Sequence, residues 1–426
     1  MKISILATSA VVLWGLSGCV YVHVSDSSAD LKSKTNIVQT AVIPADLKSL
    51  VVDNRFGSIH VVGAGTGTAQ WTWKLTVRAR TDELAKEAAE AATCRTERDG
   101  DQLRLAVSLP ESKGQWSFQS DLDIRLPATA SLHTRNHFGE TVISEVQRDV
   151  HAEGQNGAVE IRHVGGEVHA GTSFATLTVS KTGPATLANR NGRIEASDVG
   201  GALDAETSFA SLLAQEVAGA ANLRNRNGGI EASDIRGPLE AKTSFATLTA
   251  STIEGPVKLW NRNGSVEVSA VKGDAEVTTS FARLTARKIE GDAVLNNRNG
   301  EVTASEISGS VQAATSFSTM DIASAGPRIA CHNQNGTLRL RATSAALTNL
   351  EARTSFGSLE VRLPAALKPA IQARNSFGSI ESDFPVLIPP REQDPFADVP
   401  EGTPLIKLGN QNGKIRVIRE GAVASR

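Results

Sequence analysis

Through the middle of the chain, apolar and polar residues alternate in short runs that restart every 18 residues. Counting from Asn263, apolar or small residues fall at Val266, Val268, Val271, Gly273, Ala275, Val277 and Thr279. The next run puts Leu284, Ala286, Ile289, Gly291, Ala293, Leu295 and Asn297 in the same frame. A period of two predicts strands with one buried face. Three-residue steps, from Asn263 to Val266 and from Val268 to Val271, predict the corners between strands.

Two markers keep this frame. Asn-Gly pairs begin at Asn156, Asn191, Asn227, Asn263, Asn299 and Asn335, spaced by 35 and then 36 residues. The Phe of Thr-Ser-Phe follows each of the first five by 18 residues, at Phe174, Phe209, Phe245, Phe281 and Phe317. So short a unit holds no helix pair; it holds a coil of a β-solenoid. The expected fold is therefore all-β, a single-stranded parallel β-helix of about 18 residues per coil. Right-handed coiling is expected, since the strict hexapeptide pattern of left-handed β-helices is missing. In this frame Phe is expected to fill a corner from inside, while the marker Asn bonds to backbone there. The Asn-Gly glycines, and a second series at Gly166, Gly201, Gly219, Gly237, Gly255, Gly273, Gly291 and Gly309, are expected at bends needing positive φ.

Toward both ends the frame breaks. Asp53–Ile59 reads as an early coil; residues 69–80 then alternate as a strand, and 81–93 read as a short helix capped by Thr81 or Asp82. Two strands follow around a hairpin turn at Asp99-Gly100-Asp101. This strand-helix-strand insert is expected to cover the open N-terminal end of the solenoid. After Asn335 the markers loosen to Phe356, Phe377 and Asn412, spaced by 21, 21 and 35, and residues 384–404 carry six prolines.

Composition refines the class. With 44 Lys+Arg against 46 Asp+Glu in 426 residues, net charge is −2, which argues against a nucleic-acid partner. Three cysteines, Cys19, Cys94 and Cys331, are too few for a disulfide framework, and the last two are expected as buried free thiols. Lys2 precedes an uncharged run from Ile3 to Gly18, as in a secretory signal. Leu16-Ser17-Gly18-Cys19 resembles the bacterial lipobox, which makes Cys19 the expected lipidated first residue of an exported protein. Val20, where inner-membrane lipoproteins of this kind carry Asp, favours the outer membrane by the same resemblance.

Candidate chemistry is sparse. Four positions after the markers, Glu160, Glu195, Glu231 and Glu267 alternate with Thr178, Leu213, Thr249 and Thr285. That places the carboxylates two coils apart, about 9.6 Å, too far to share one metal. Three residues further, the mixed column Lys181, Asp198, Glu216, Asp234, Thr252, Ala270, Lys288 and Glu306 reads as a solvated face. The eight histidines show no metal-ligand spacing repeated across coils, and no hydrolase triad, phosphate loop or dinucleotide turn is present. No catalytic residue, cofactor or metal is expected. Arg190, Arg226, Arg262 and Arg298, in the middle of Asn-Arg-Asn-Gly, should point outward as a stripe able to engage an anionic glycan, lipid head group or acidic protein. The competing reading is that each Arg packs over its corner or pairs with a nearby Glu.

The repeated Asn-Xaa-Asn-Gly-Xaa-Ile/Val-Glu and Ser-Phe-Gly-Ser-Ile/Leu-Glu units, with Arg125-Leu126-Pro127 before the coils, resemble the "putative adhesin" family of bacterial envelope β-solenoids, over residues 46–418. The resemblance implies a parallel β-helix without established catalysis. The expected organisation is a signal peptide at 1–18, lipidated Cys19 with a tether to 45, a first coil plus capping insert at 46–130, regular coils at 131–345 and looser coils at 346–426. The expected role is a non-enzymatic, lipid-anchored envelope adhesin, scaffold or binding surface, with a membrane anchor at Cys19 and an envelope glycan or protein as partner. Two alternatives stand beside it: an envelope-stress or regulatory accessory protein, and a carbohydrate-active β-helix enzyme.

Overall fold

The computed structural model describes residues 18–24, 33–65, 67–111, 116–387, 396 and 399–421. The signal segment before Gly18 and most of the proline-rich stretch lie outside the described residues, and of Cys19 only the backbone is described. The chain is an all-β parallel solenoid with one short helix, divided into two compact units at residues 206 and 207.

In the first unit, β1 (Gly18–Val24), β2 (Ser33–Val42), β3 (Ser49–Phe56), β4 (Ile59–Gly63) and β5 (Gln70–Ala79) precede α1 (Asp82–Ala91). β6 (Thr93–Asp99), β7 (Gln102–Ser108), β8 (Trp116–Leu126), β9 (Ser131–Phe138) and β10 (Thr141–Val146) follow. Regular coils then alternate a five-residue strand, β11 (Val150–Gly154), with a six-residue one, β12 (Val159–Val164), before β13 (Val168–Thr172) begins the next. Each coil thus has two faces, and equivalent strands pair in parallel with an 18-residue offset, Val150 on Val168 and Val159 on Leu177.

The insert uses antiparallel pairing. β5 lies between β2 and β8, and β6 forms a hairpin with β7. Alternation along β5 buries Trp71, Trp73, Leu75, Val77 and Ala79, and the Trp73 indole donates to Ser120 Oγ at 2.8 Å. Thr81 caps α1 by accepting from the Leu84 N–H, and Ala85, Ala88 and Ala89 are its buried residues. The expected tether is corrected here: Ser33–Val42 is a strand, because Thr35 and Ile37 alternate inward and β5 offers a full ladder.

The second unit continues the two-faced coil from Leu212–Val217 to Leu338–Ala342 in constant register. Its end folds back on itself. Leu405–Asn412 pairs with Asn349–Phe356 on one side and Ala370–Phe377 on the other, so the last coil in sequence lies between two earlier ones. Asn412 is in register with both Phe356 and Phe377. The alternation of Phe and Asn therefore persists in space where its sequence spacing fails.

Three expectations about corners are corrected. The marker Phe residues do not fill the interior; Phe245, for example, is 60% exposed. The inward residue is two positions earlier, alternately Asn and Thr: Thr243, Asn261, Thr279 and Asn297 are buried. Second, the step from Val268 to Val271 is a kink inside a strand. In the first unit Glu145, His163, Lys181 and Asp198, and in the second Glu216, Asp234, Thr252, Ala270, Lys288 and Glu306, have φ of 53° to 59°. One left-handed residue resets the alternation, so two exposed side chains stand between buried ones. Third, the glycines of both repeated series lack positive φ. A Cβ on Gly264 would lie 2.0 Å from the Ala246 carbonyl oxygen, and one on Gly237 2.5 Å from Gly219 backbone. Close stacking of coils, and not backbone handedness, excludes a side chain there.

Candidate functional site

Within each coil the second corner carries the features that burial does not explain. Its frame comes from the inward Asn. Asn261 Nδ2 donates to the Ala246 carbonyl at 2.7 Å and to Ser265 at 3.1 Å, while Oδ1 accepts from the Gly264 N–H at 3.0 Å. Asn189, Asn225, Asn297 and Asn333 donate at the same 2.7 Å to Ala175, Ala210, Ala282 and Ser318. Each of these carbonyls belongs to the residue just after a marker Phe. On alternate coils the Thr hydroxyl takes over: Thr243 Oγ1 donates to Gly228 and Thr279 Oγ1 to Gly264. Corner backbones also bond coil to coil, with Asn263 N–H on Ser244 and Asn299 N–H on Ser280. The result is a rigid edge whose outward side chains are set by the repeat.

In the second unit this edge presents Phe209, Phe245, Phe281 and Phe317, each 60–64% exposed. Arg226, Arg262 and Arg298 stand on the coils between them, also exposed. Among the described residues these arginines enter no ion pair, side-chain hydrogen bond or cation–π contact. That sets aside the reading in which each Arg pairs with a nearby Glu. Neighbouring cations behave differently: Lys242 is held by Glu240 at 2.6 Å, Lys272 by Glu254 at 2.8 Å and Arg283 by Glu301 at 2.8 Å. Cations two coils apart are separated by about 9.6 Å at strand spacing. In the first unit Arg190 is likewise exposed beyond Phe174, and Phe56 stacks on Phe138 with centroids 5.2 Å apart.

The exposed Phe column was missed by sequence reasoning, although the period of Thr-Ser-Phe marked it. So was a histidine column. His133, His151 and His169 are 18 residues apart and in register on β9, β11 and β13. His163 belongs to the other face, 3.1 Å from Glu145, and interrupts the pattern when histidines are read in order. Burial, and then the neighbouring His151, hold His133 below the usual imidazole range. Hydrogen bonds from His151 and then Arg135 hold Glu153 below the usual carboxylate range.

The glutamate column stands as spaced: Glu231 and Glu267 each face Thr249 on the rung between them. Cys94 and Cys331 are free and buried, and burial pushes each thiol up to about 12. Among the described residues no helix is long and apolar enough to cross a membrane.

No protein-family model and no curated protein matches the chain. Among solved structures, the chain is similar to a "putative cell adhesion protein" from Clostridium sporogenes at 8% identity, covering 90% of this chain and 99% of that one, with a TM-score of 0.17. It is also similar to a "putative adhesin" from Bacteroides fragilis at 12% identity, covering 90% and 97%, with a TM-score of 0.17. A third, a "putative adhesin" from Parabacteroides distasonis, shares 12% identity over 95% and 98%, with a TM-score of 0.19.

Proposed function

We propose that this protein is a non-enzymatic binding surface of the bacterial envelope, an adhesin or scaffold, and that its ligand is an acidic polysaccharide. The observation that carries this reading is the alternation, in the second unit, of exposed Phe rings with unpaired Arg side chains. Exposed aromatic groups in a row are costly to solubility and mark interaction surfaces. A sugar ring offers an apolar face to Phe, and its carboxylate or sulfate offers a fork-shaped acceptor to Arg. Because the pair repeats at a constant step, it suits a repeating polymer better than a compact ligand. Cys19, as the lipid-modified residue, would hold the protein at the membrane, the outer one by resemblance.

The test is a glycan array probed with the protein and with Arg226→Glu/Arg262→Glu/Arg298→Glu. Binding of wild type to acidic glycans, lost in the variant, supports the reading; binding that survives charge reversal removes the edge from consideration. An acidic protein recovered in place of a glycan would favour the accessory-protein alternative.

A further inference from the structure

The histidine column of the first unit, far in sequence from Arg226–Arg298, carries a second inference. His133 on β9, His151 on β11 and His169 on β13 occupy the same outward position on successive rungs. The His133 and His151 rings stack with centroids 4.4 Å apart and planes at 30°; His169 stands 6.2 Å beyond His151. Glu153, two residues after His151, faces the same side by strand alternation, with Oε1 3.0 Å from His151 Nε2. Donor atoms of His133, His151 and Glu153 all lie within 4.8 Å of one another. Arg135 Nε donates to Glu153 Oε2 at 2.9 Å, which leaves Oε1 aimed at the histidine pair. The group lines a shallow depression of about 260 Å³ whose wall includes Ser49, Gln102 and Asp149.

We propose that His133, His151 and Glu153 form a binding site for a divalent transition-metal ion of the zinc class, with His169 as a further donor from the next rung. Two imidazoles and a carboxylate are the donor set such ions favour, and hard cations such as Ca²⁺ or Mg²⁺ are poorly served by it. With bonds of about 2.0–2.1 Å, tetrahedral donors stand about 3.3 Å apart. The observed spacing needs side-chain rotation only, with no change of backbone. Arg135 acts as the outer-shell group that orients the carboxylate. Since the ligands come from consecutive coils, the ion would clamp rung to rung where the regular coils begin.

The experiment titrates the full mature chain, free of any polyhistidine tag, with Co²⁺ as a spectroscopic probe and then with Zn²⁺. One equivalent of Co²⁺ with visible d–d absorption, displaced by Zn²⁺, is expected. His133→Ala and His151→Ala should each weaken Zn²⁺ binding by about tenfold or more, and His163→Ala, on the other face, should not. Circular dichroism verifies the fold of each variant; should a His variant unfold, Glu153→Gln replaces it with the same expected loss. Absence of stoichiometric uptake, or uptake unchanged in the folded His and Glu variants, overturns the site.

Discussion

Replacing Asn261 by Ala tests whether the inward amide, and not the marker Asn263, holds the corner. Asn261 is only 3% exposed and makes three hydrogen bonds. Their loss is uneven. The Ser265 carbonyl still accepts from the Leu248 N–H at 3.0 Å, whereas the Ala246 carbonyl and the Gly264 N–H lose the amide that served them. Two buried groups left unpaired cost about 1–3 kcal/mol each, so with the void left by the amide a loss of about 3–5 kcal/mol is expected. Asn261→Thr should lose only about half as much, because Thr fills this position on the flanking coils and one hydroxyl restores one bond. Urea unfolding followed by circular dichroism gives the total. Coils contact only their neighbours, so hydrogen exchange of peptides spanning 257–268 gives the local effect. If Asn261→Ala stays within about 0.5 kcal/mol of wild type while Asn263→Ala does not, the assignment of the inward amide is wrong.

Gly264→Ala should destabilise by about 3 kcal/mol or more, since its Cβ would meet the Ala246 carbonyl oxygen at 2.0 Å. Ala270→Gly, at φ 53°, should instead raise the urea midpoint by an equivalent of about 0.5–1 kcal/mol, relief of left-handed strain exceeding the entropy of an added glycine; the opposite pair of signs would contradict the account of the glycines. Cys94 and Cys331, buried and with thiols pushed up to about 12, should resist iodoacetamide at pH 8 in the folded protein and react in urea, as mass spectrometry would read; labelling of the native chain would refute their burial.

The repeat was legible because Asn-Gly and Thr-Ser-Phe recur in one frame, and the strand-helix-hairpin order of the insert followed from alternation and the Thr81 cap. Which of two Asn residues turns inward was not legible. Asn261 is the last residue of its strand and Asn263 already lies in the corner, where period-two alternation no longer applies. The same break put Phe245 outside. Glycine identity told of a constraint but not of its kind, since contact with the preceding coil and positive φ leave the same residue. The mixed column from Lys181 to Glu306 looked featureless because its common property is a backbone angle that no residue type there announces. The spacings of 21, 21 and 35 after Asn335 hid a change of stacking order, which only strand pairing displays. Of the site, the outward arginines were visible in Asn-Arg-Asn-Gly; the exposed aromatic partner column was not.

Binding at the second unit's edge is the central claim, and a salt-resolved affinity measurement tests it most directly. An acidic polysaccharide identified on the array is titrated by calorimetry against wild type, the triple Arg226→Glu/Arg262→Glu/Arg298→Glu variant and Phe245→Ala/Phe281→Ala. The account predicts wild-type binding that weakens with salt, abolition by charge reversal, and about tenfold loss in the Phe variant with folding unchanged, because these rings are already exposed. Equal affinity in all three proteins, with all three folded, would contradict it.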